Sequence, residues 1–444
     1  METEKIKKTS IWATIPVLTL IISILLNPPF QPLKQLGNQI NSICFFLCFL
    51  CMFSCGRGTN STPTVSNETS GTGFFVFDLE NSIHLQRTDT VLLNSLIDSV
   101  RFIPLETKKE SLFHNTFCRF GIIGQNMFIS GGGVGSRGSA VLQFDFEGKY
   151  IGQIAQKGQG PSELPYLMTW YTHGALQQLN AVGGGTKMVI KSFKNDKTTE
   201  VKIEARGAFD IIPLNDGSFV AAGPPLAKEY KNLPYLYFID ANGKVFTSMN
   251  YPEERDIYIT MQENPRGESA WPFEMHITLP RFSGDALFQD AYNDTTYLIR
   301  SAEDLRPYLV FKRGKYMPVV EDAHNVERKS KQIFIREIME TEDYIFLTTV
   351  YNKNFYFDIW SKETLQLFSR AKVGINSQYR IQGGHWTYYE LPNGETRLIN
   401  IQYVEKNTLY AVIDAEIAST FLEGIQEEDN PVIMVAKLKT AIKE

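Results

Sequence analysis

The chain has 444 residues, 43% apolar and 21% charged, which is ample for a sizeable buried core. Its net charge of −5 argues against nucleic acid as a partner, because neutralising phosphates takes clustered Lys and Arg. The aromatic load of 30 Phe and 20 Tyr, beside 32 Gly and 20 Pro, leans towards an all-β fold: aromatics suit half-buried pleated surfaces, and Gly and Pro punctuate turns.

In chain order, residues 1–54 read as a targeting region. Ile11 to Leu26 is an apolar stretch closed by Asn27-Pro28-Pro29, and residues before about 33 read as an over-extended gene start rather than a short membrane helix. Ile43 to Phe53 is a second apolar run, of signal-peptide length and too short to span a bilayer. It ends at Ser54-Cys55-Gly56, which resembles a bacterial lipobox, although Met52 and Phe53 are bulkier than the usual pattern. Cys55 is the expected lipidation site. Cys44, Cys48 and Cys51 sit among Phe and Leu, with no polar shell to orient a metal's ligands, and Cys118 alone cannot form an intramolecular disulfide in the body. Residues 55–73 are Gly, Ser, Thr, Asn and Pro with almost nothing apolar, the composition of a flexible tether. No acidic cluster follows Cys55, which favours the periplasmic face of an outer membrane over surface display.

The body, residues 74–441, shows short β-type runs between turn signals. Val141 to Ile154 reads as strand, turn, strand around Asp145-Phe-Glu-Gly148-Lys149, and Leu236 to Phe246 repeats the design around Asp240-Ala-Asn-Gly243-Lys244. Gly supplies the positive φ such a turn needs, and Asp can bond its own backbone. A degenerate third copy is read at Tyr356-Phe-Asp358-Ile-Trp-Ser361-Lys362. The three Asp are 95 and 118 residues apart, roughly two units of 50 to 60 each, which suits four-stranded propeller blades. Closing a ring also removes the exposed edges that a linear sandwich array would keep. Helix is expected only in the N-terminal apolar segments and around Glu327 to Ile333.

Two stretches carry a family likeness: Asp98-Ser-Val-Arg-Phe-Ile-Pro104-Leu-Glu106-Thr107, and Lys157-Gly-Gln-Gly160-Pro161-Ser-Glu163 after the first hairpin. With Asn430-Pro431-Val-Ile-Met-Val they resemble the six-bladed β-propeller lipoproteins of Bacteroidetes, distant relatives of NHL-repeat proteins. The resemblance implies an all-β chain with one closed propeller, six blades rather than seven, and an N-terminal strand completing the last blade. Phe74 to Leu79 is the candidate for that strand. The sequence departs from NHL repeats at Ile129-Ser130-Gly-Gly-Gly133, where a strand-ending Asp is usual. The Gly-rich run through Gly138 lacks the Lys-Ser/Thr ending and following helix of a phosphate cradle, so it reads as a loop.

The six His fall at no metal-ligand spacing, and neither His-Glu-x-x-His nor Gly-x-Ser-x-Gly occurs. No cofactor is assigned, though Ca²⁺ ligands scattered over several blades would escape any spacing rule. Two loop-like clusters combine rare residues: Arg266, Glu268 and Trp271, and then His385 with Trp386 after two Gly. Exposed Trp stacks on sugar rings or partner proteins and Arg adds charge recognition, but large aromatics also fill the seams between blades. The expected function is therefore a membrane-anchored binding or scaffolding module for a glycan, peptide or protein, more a binder than an enzyme. The alternative is an envelope hydrolase or lyase with a Ca²⁺ or acid/base site in the central channel.

Overall fold

The structure is a computed structural model that describes residues 74–439 except 86–91, 114–118, 132–139, 184–185, 206–207, 209, 224–232, 251–276, 282, 323–324 and 375–383. Cys55, the tether and the Gly-rich loop fall outside the described residues. Within them, 26 strands form six sheets, each a blade of a closed propeller. An early strand, β1 (Phe75–Asp78), and β2 (Ile97–Pro104) precede the blades. The first blade is β3 (Arg119–Ile123), β4 (Asn126–Ser130), β5 (Val141–Asp145) and β6 (Tyr150–Ile154). The second is β7 (Leu167–His173), β8 (Gln178–Gly183), β9 (Lys187–Ser192) and β10 (Lys197–Lys202). The third is β11 (Ile211–Pro213), β12 (Phe219–Ala222), β13 (Leu236–Ile239) and β14 (Val245–Met249). The fourth is β15 (Ile277–Pro280), β16 (Ala286–Gln289), β17 (Thr295–Ile299) and β18 (Leu305–Lys312). The fifth is β19 (Phe334–Glu340), β20 (Tyr344–Tyr351), β21 (Asn354–Ser361) and β22 (Leu367–Gly374). The last holds β23 (His385–Glu390), β24 (Thr396–Glu405), β25 (Thr408–Ile413) and β26 (Val432–Leu438).

The core is a ring of seams. Six apolar clusters each join two consecutive blades, the sixth joining the last blade back to the first through Ile103, Phe120, Phe144, Tyr410 and Ile433. Because both faces of a blade are covered, middle strands such as β13 and β20 are buried along their length instead of alternating. Outer strands such as β10 are mostly exposed.

The closing strand is not Phe74 to Leu79. β2 closes the ring, pairing antiparallel with β26 from Ile97↔Leu438 to Pro104↔Val432. β1 instead adds parallel to the outer edge of the fourth blade, along β18. It ends where Asp78 caps a one-turn helix, Leu79–Ser82, by accepting from Asn81 N at 2.9 Å. Two of the family signatures meet at the closure. Asn430 donates from Nδ2 to the carbonyls of Glu106 and Ser111, at 2.9 and 3.0 Å, and from its backbone N to Thr107 Oγ1. The third signature is a clasp between the first two blades: Glu163 accepts from Gly160 N at 2.8 Å and from Gln156 Nε2 at 2.9 Å. A Cβ at Gly158 would sit 1.8 Å from that carboxylate, so the motif's Gly makes room for its Glu.

The repeated turns form as read. Asp145 Oδ1 accepts from the N–H of Glu147 and Lys149, and Asp240 Oδ1 from those of Asn242 and Lys244. Gly148 and Gly243 take φ of 83° and 86°. Each also lies against the outer strand of the preceding blade: a Cβ would meet Pro104 O at 2.0 Å in one case and Lys202 O at 2.1 Å in the other. The third copy is corrected. β21 is the third strand of its blade, as β5 and β13 are of theirs, but Asp358 lies in mid-strand and is buried against Arg370 at 2.6 and 2.7 Å. The helix expected near Glu327 to Ile333 is a single turn, Val326–Ser330, capped by Asn325. Among the described residues no helix is long and apolar enough to cross a membrane.

Candidate functional site

Strands β3, β7, β11, β15, β19 and β24 touch in turn and complete an inner ring. β24 takes the inner place in the last blade because β23 pairs with it only as far as Ile401, leaving Gln402 to Glu405 on the channel wall. The ring surrounds a cavity of about 310 Å³, lined from five blades by charged, aromatic and apolar side chains.

Two arginine centres face this cavity. Arg119 opens β3, and its Nη1 donates to Thr169 Oγ1 at 2.6 Å and to the Trp170 carbonyl at 3.4 Å. Its guanidinium lies 4.7 Å over the Tyr171 ring, and Nη2 stands 3.8 Å from Asp210. Asp210 is itself fixed by Tyr171 OH at 2.8 Å and Thr169 Oγ1 at 3.1 Å. Burial pushes the Tyr171 phenol up, so it remains a donor. The Arg119 side chain keeps 40% of its surface exposed, on the cavity wall. Glu337 belongs to the same region: it follows a bulge in β19, and its Oε2 accepts from Gly384 N at 2.8 Å. Burial raises its carboxyl above the usual range, against the pull of that N–H and of the Arg119 charge.

The second centre is closed. Glu340 ends β19 with a side chain 1% exposed, and it accepts from Arg281, Tyr308 and Lys362, the last at 2.7 Å. Burial alone would raise Glu340, but Arg281 and Lys362 hold it below the usual carboxylate range. Arg281 also bonds Ser283 and lies 4.8 Å over the Tyr308 ring. His173 ends β7 beside this centre and is kept neutral by burial. Gly284 approaches it so closely, at φ 79°, that a Cβ would stand 2.6 Å from Nε2. Glu405, at the end of β24, is part-buried and its carboxyl is raised by that burial. Among the described residues no group of three His, Cys, Asp or Glu could hold a metal ion.

The structure does not bring the residues singled out from the sequence into this cavity's described lining. Arg266, Glu268 and Trp271 fall within 251–276, outside the described residues. His385 and Trp386 begin a strand, not a loop, and are 0% and 8% exposed. His385 is enclosed by Phe346 and Phe357, with ring centroids at 5.2 and 5.7 Å. Trp386 packs with Val350, Phe355 and Phe357, so the seam between blades claims both. Sequence reasoning missed Arg119, Tyr171, Glu337 and Glu340. For the three charged residues the signal is a charge in the apolar first strand of a blade, as in Phe334-Ile-Arg-Glu337-Ile-Met-Glu340, and it is visible only once the blade phase is known.

One solved structure supports the architecture. The crystal structure of a putative exported protein from Bacteroides fragilis NCTC 9343 superposes with a TM-score of 0.58 at 18% identity, over 83% of this chain and 100% of that one. A member of the DUF4221 family from Bacteroides vulgatus also matches, at TM-score 0.47 and 10% identity, over 80% of this chain and 99% of that one. No curated protein matches the chain. The model of a family described as a domain of unknown function, DUF4934, matches residues 74–437, and with its six-bladed body the chain belongs to that family.

Proposed function

We propose that the chain is an exported, envelope-attached binding module that takes its ligand in the central channel of a rigid propeller. The observation that carries this reading is Arg119. Its guanidinium is immobilised by Thr169, Trp170 and Tyr171, is left 40% exposed, and faces a preformed cavity. Such a cation, held in advance, lowers the ordering cost of binding. Two observations support export: the similar Bacteroides fragilis structure is described as a putative exported protein, and an apolar run of signal-peptide length precedes Cys55. Residues 1–54 then act as the targeting region, Cys55 carries the lipid, 55–73 form the tether and 74–441 the body.

The alternative reading, an envelope hydrolase or lyase, draws on Glu337 and Glu405, whose carboxyls are raised towards the range of a general acid. Peptide and glycan arrays probed with the parent and with Arg119→Met separate the two. A binder retains one ligand class, loses it in the variant and releases the ligand intact. Ligand recovered cleaved, with cleavage abolished by Glu337→Gln, supports the enzyme instead, and binding indifferent to Arg119→Met removes the channel from either account. Palmitate labelling checks the anchor: Cys55→Ala should abolish it, because several acyl chains are needed for stable attachment and no other lipid site is assigned.

A further inference from the structure

We infer that the channel ligand is a neutral saccharide, held between Arg119 and Glu337; this rests on the channel-binding reading above. Arg119 uses Nη1 on Thr169 and Trp170 and also bonds Tyr171, while the carboxylate facing its Nη2, that of Asp210, stands 3.8 Å away. The guanidinium has five N–H donors and lines the cavity with 40% of the side chain exposed, so it keeps donor capacity for a ligand. Glu337 uses Oε2 on Gly384 N and feels the charge of Arg119 without forming an ion pair with it. A ligand bridging the two must accept on one side and donate, or accept from a protonated carboxyl, on the other.

The remaining charges narrow the class. Arg281 is matched by Glu340, and Arg119 by Asp210. The lining holds three carboxyl groups, Glu337, Glu340 and Glu405, against two arginines, and behind it Lys362 on Glu340 offsets Asp210 on Arg119, so the cavity carries one surplus acid. An anionic ligand would meet that surplus, and an ammonium would meet the Arg119 donors, which it cannot satisfy. Neighbouring hydroxyls on a neutral ring both donate and accept, so they meet both walls. Tyr403, beside Glu405, adds aromatic surface to the lining, its ring braced by Phe120 and Tyr410. A volume of about 310 Å³ lies at the small end of ligand sites, the size for one or two sugar units or the end of a glycan chain.

Isothermal titration of the detergent-solubilised full chain tests this with methyl glycosides of glucose, mannose, galactose and N-acetylglucosamine disaccharides, alongside their uronate counterparts and a set of tripeptides. At least one neutral disaccharide should bind and its uronate counterpart should bind more weakly. Arg119→Met and Glu337→Gln should each weaken the neutral ligand about tenfold or more, the loss expected from one charge-assisted hydrogen bond. Glu337→Gln keeps an acceptor for Gly384 N, so it remains informative if Arg119→Met folds poorly. Tripeptide binding that is lost in Arg119→Met, without saccharide binding, overturns the saccharide inference and leaves the channel-binding reading standing. Tighter binding of the uronates, or neutral binding unchanged in both variants, also overturns it. No response to any of the three sets, with array binding also indifferent to Arg119→Met, removes both.

Discussion

The two arginine centres of the channel are built from the same residue types and end in opposite states. Around Glu340 every oxygen is spoken for: Arg281, Lys362 and Tyr308 converge on a side chain 1% exposed. Around Arg119 one carboxylate stands off at 3.8 Å, and 40% of the side chain faces the cavity. The first arrangement neutralises a charge that the fold has taken out of water. The second holds a charge in place and leaves part of its hydrogen-bonding capacity unused. Polar groups inside a fold thus divide into those that complete the structure and those that structure alone does not satisfy. The second kind is where a ligand belongs.

Breaking the closed centre should have the largest effect. Arg281→Ala leaves Glu340 buried with a weakened set of partners, and we expect a loss of about 3–5 kcal/mol in denaturant unfolding, as when one partner of a buried pair is removed. A loss under about 1 kcal/mol would mean that Lys362 suffices and the two centres differ less than the geometry indicates. His385 sharpens the contrast from another side, being fully enclosed and, among the described residues, without a hydrogen-bond partner on either ring nitrogen. Burial pushes its pKa down to about 3. The unfolded chain takes up a proton near pH 6.5 that the folded chain refuses, so stability is complete above that pH and falls on acidification. Between pH 6.5 and 4 the loss should approach about 3 kcal/mol, and His385→Leu should flatten that slope by about one proton. An unchanged acid limb in the variant would show that His385 is protonated in the fold. The smallest effect is expected at the open centre. Arg119→Met should cost about 1 kcal/mol or less, because the cation is part-exposed and Asp210 keeps Tyr171 and Thr169. A cost as large as that of Arg281→Ala would erase the distinction on which the channel site rests.

What can be read directly is whatever short-range chemistry encodes. Asp145 and Asp240 bond backbone groups two and four residues onward, so those turns are legible, and with them the blade repeat. At Asp358 the same reading fails. An Asp on a β-type run looks alike whether it turns the chain or pairs with Arg370, and only the register of β21 with β22 decides between them. His385 and Trp386 look like loop residues because two Gly precede them, whereas packing against the fifth blade buries both.

By itself the sequence determined the all-β class, the repeat size, the turn positions and a body beginning near Phe74, each of which depends on residues adjacent along the chain. The tertiary structure alone decided that β2 and not β1 closes the ring, because both are plausible edge strands and the choice depends on which distant edge each one meets. It alone decided the channel as well. Arg119, Tyr171, Glu340 and Glu405 come from four different blades, and no local pattern relates them. Ring closure brings their inner strands together, and the field they share exists only once the last blade has packed against the first.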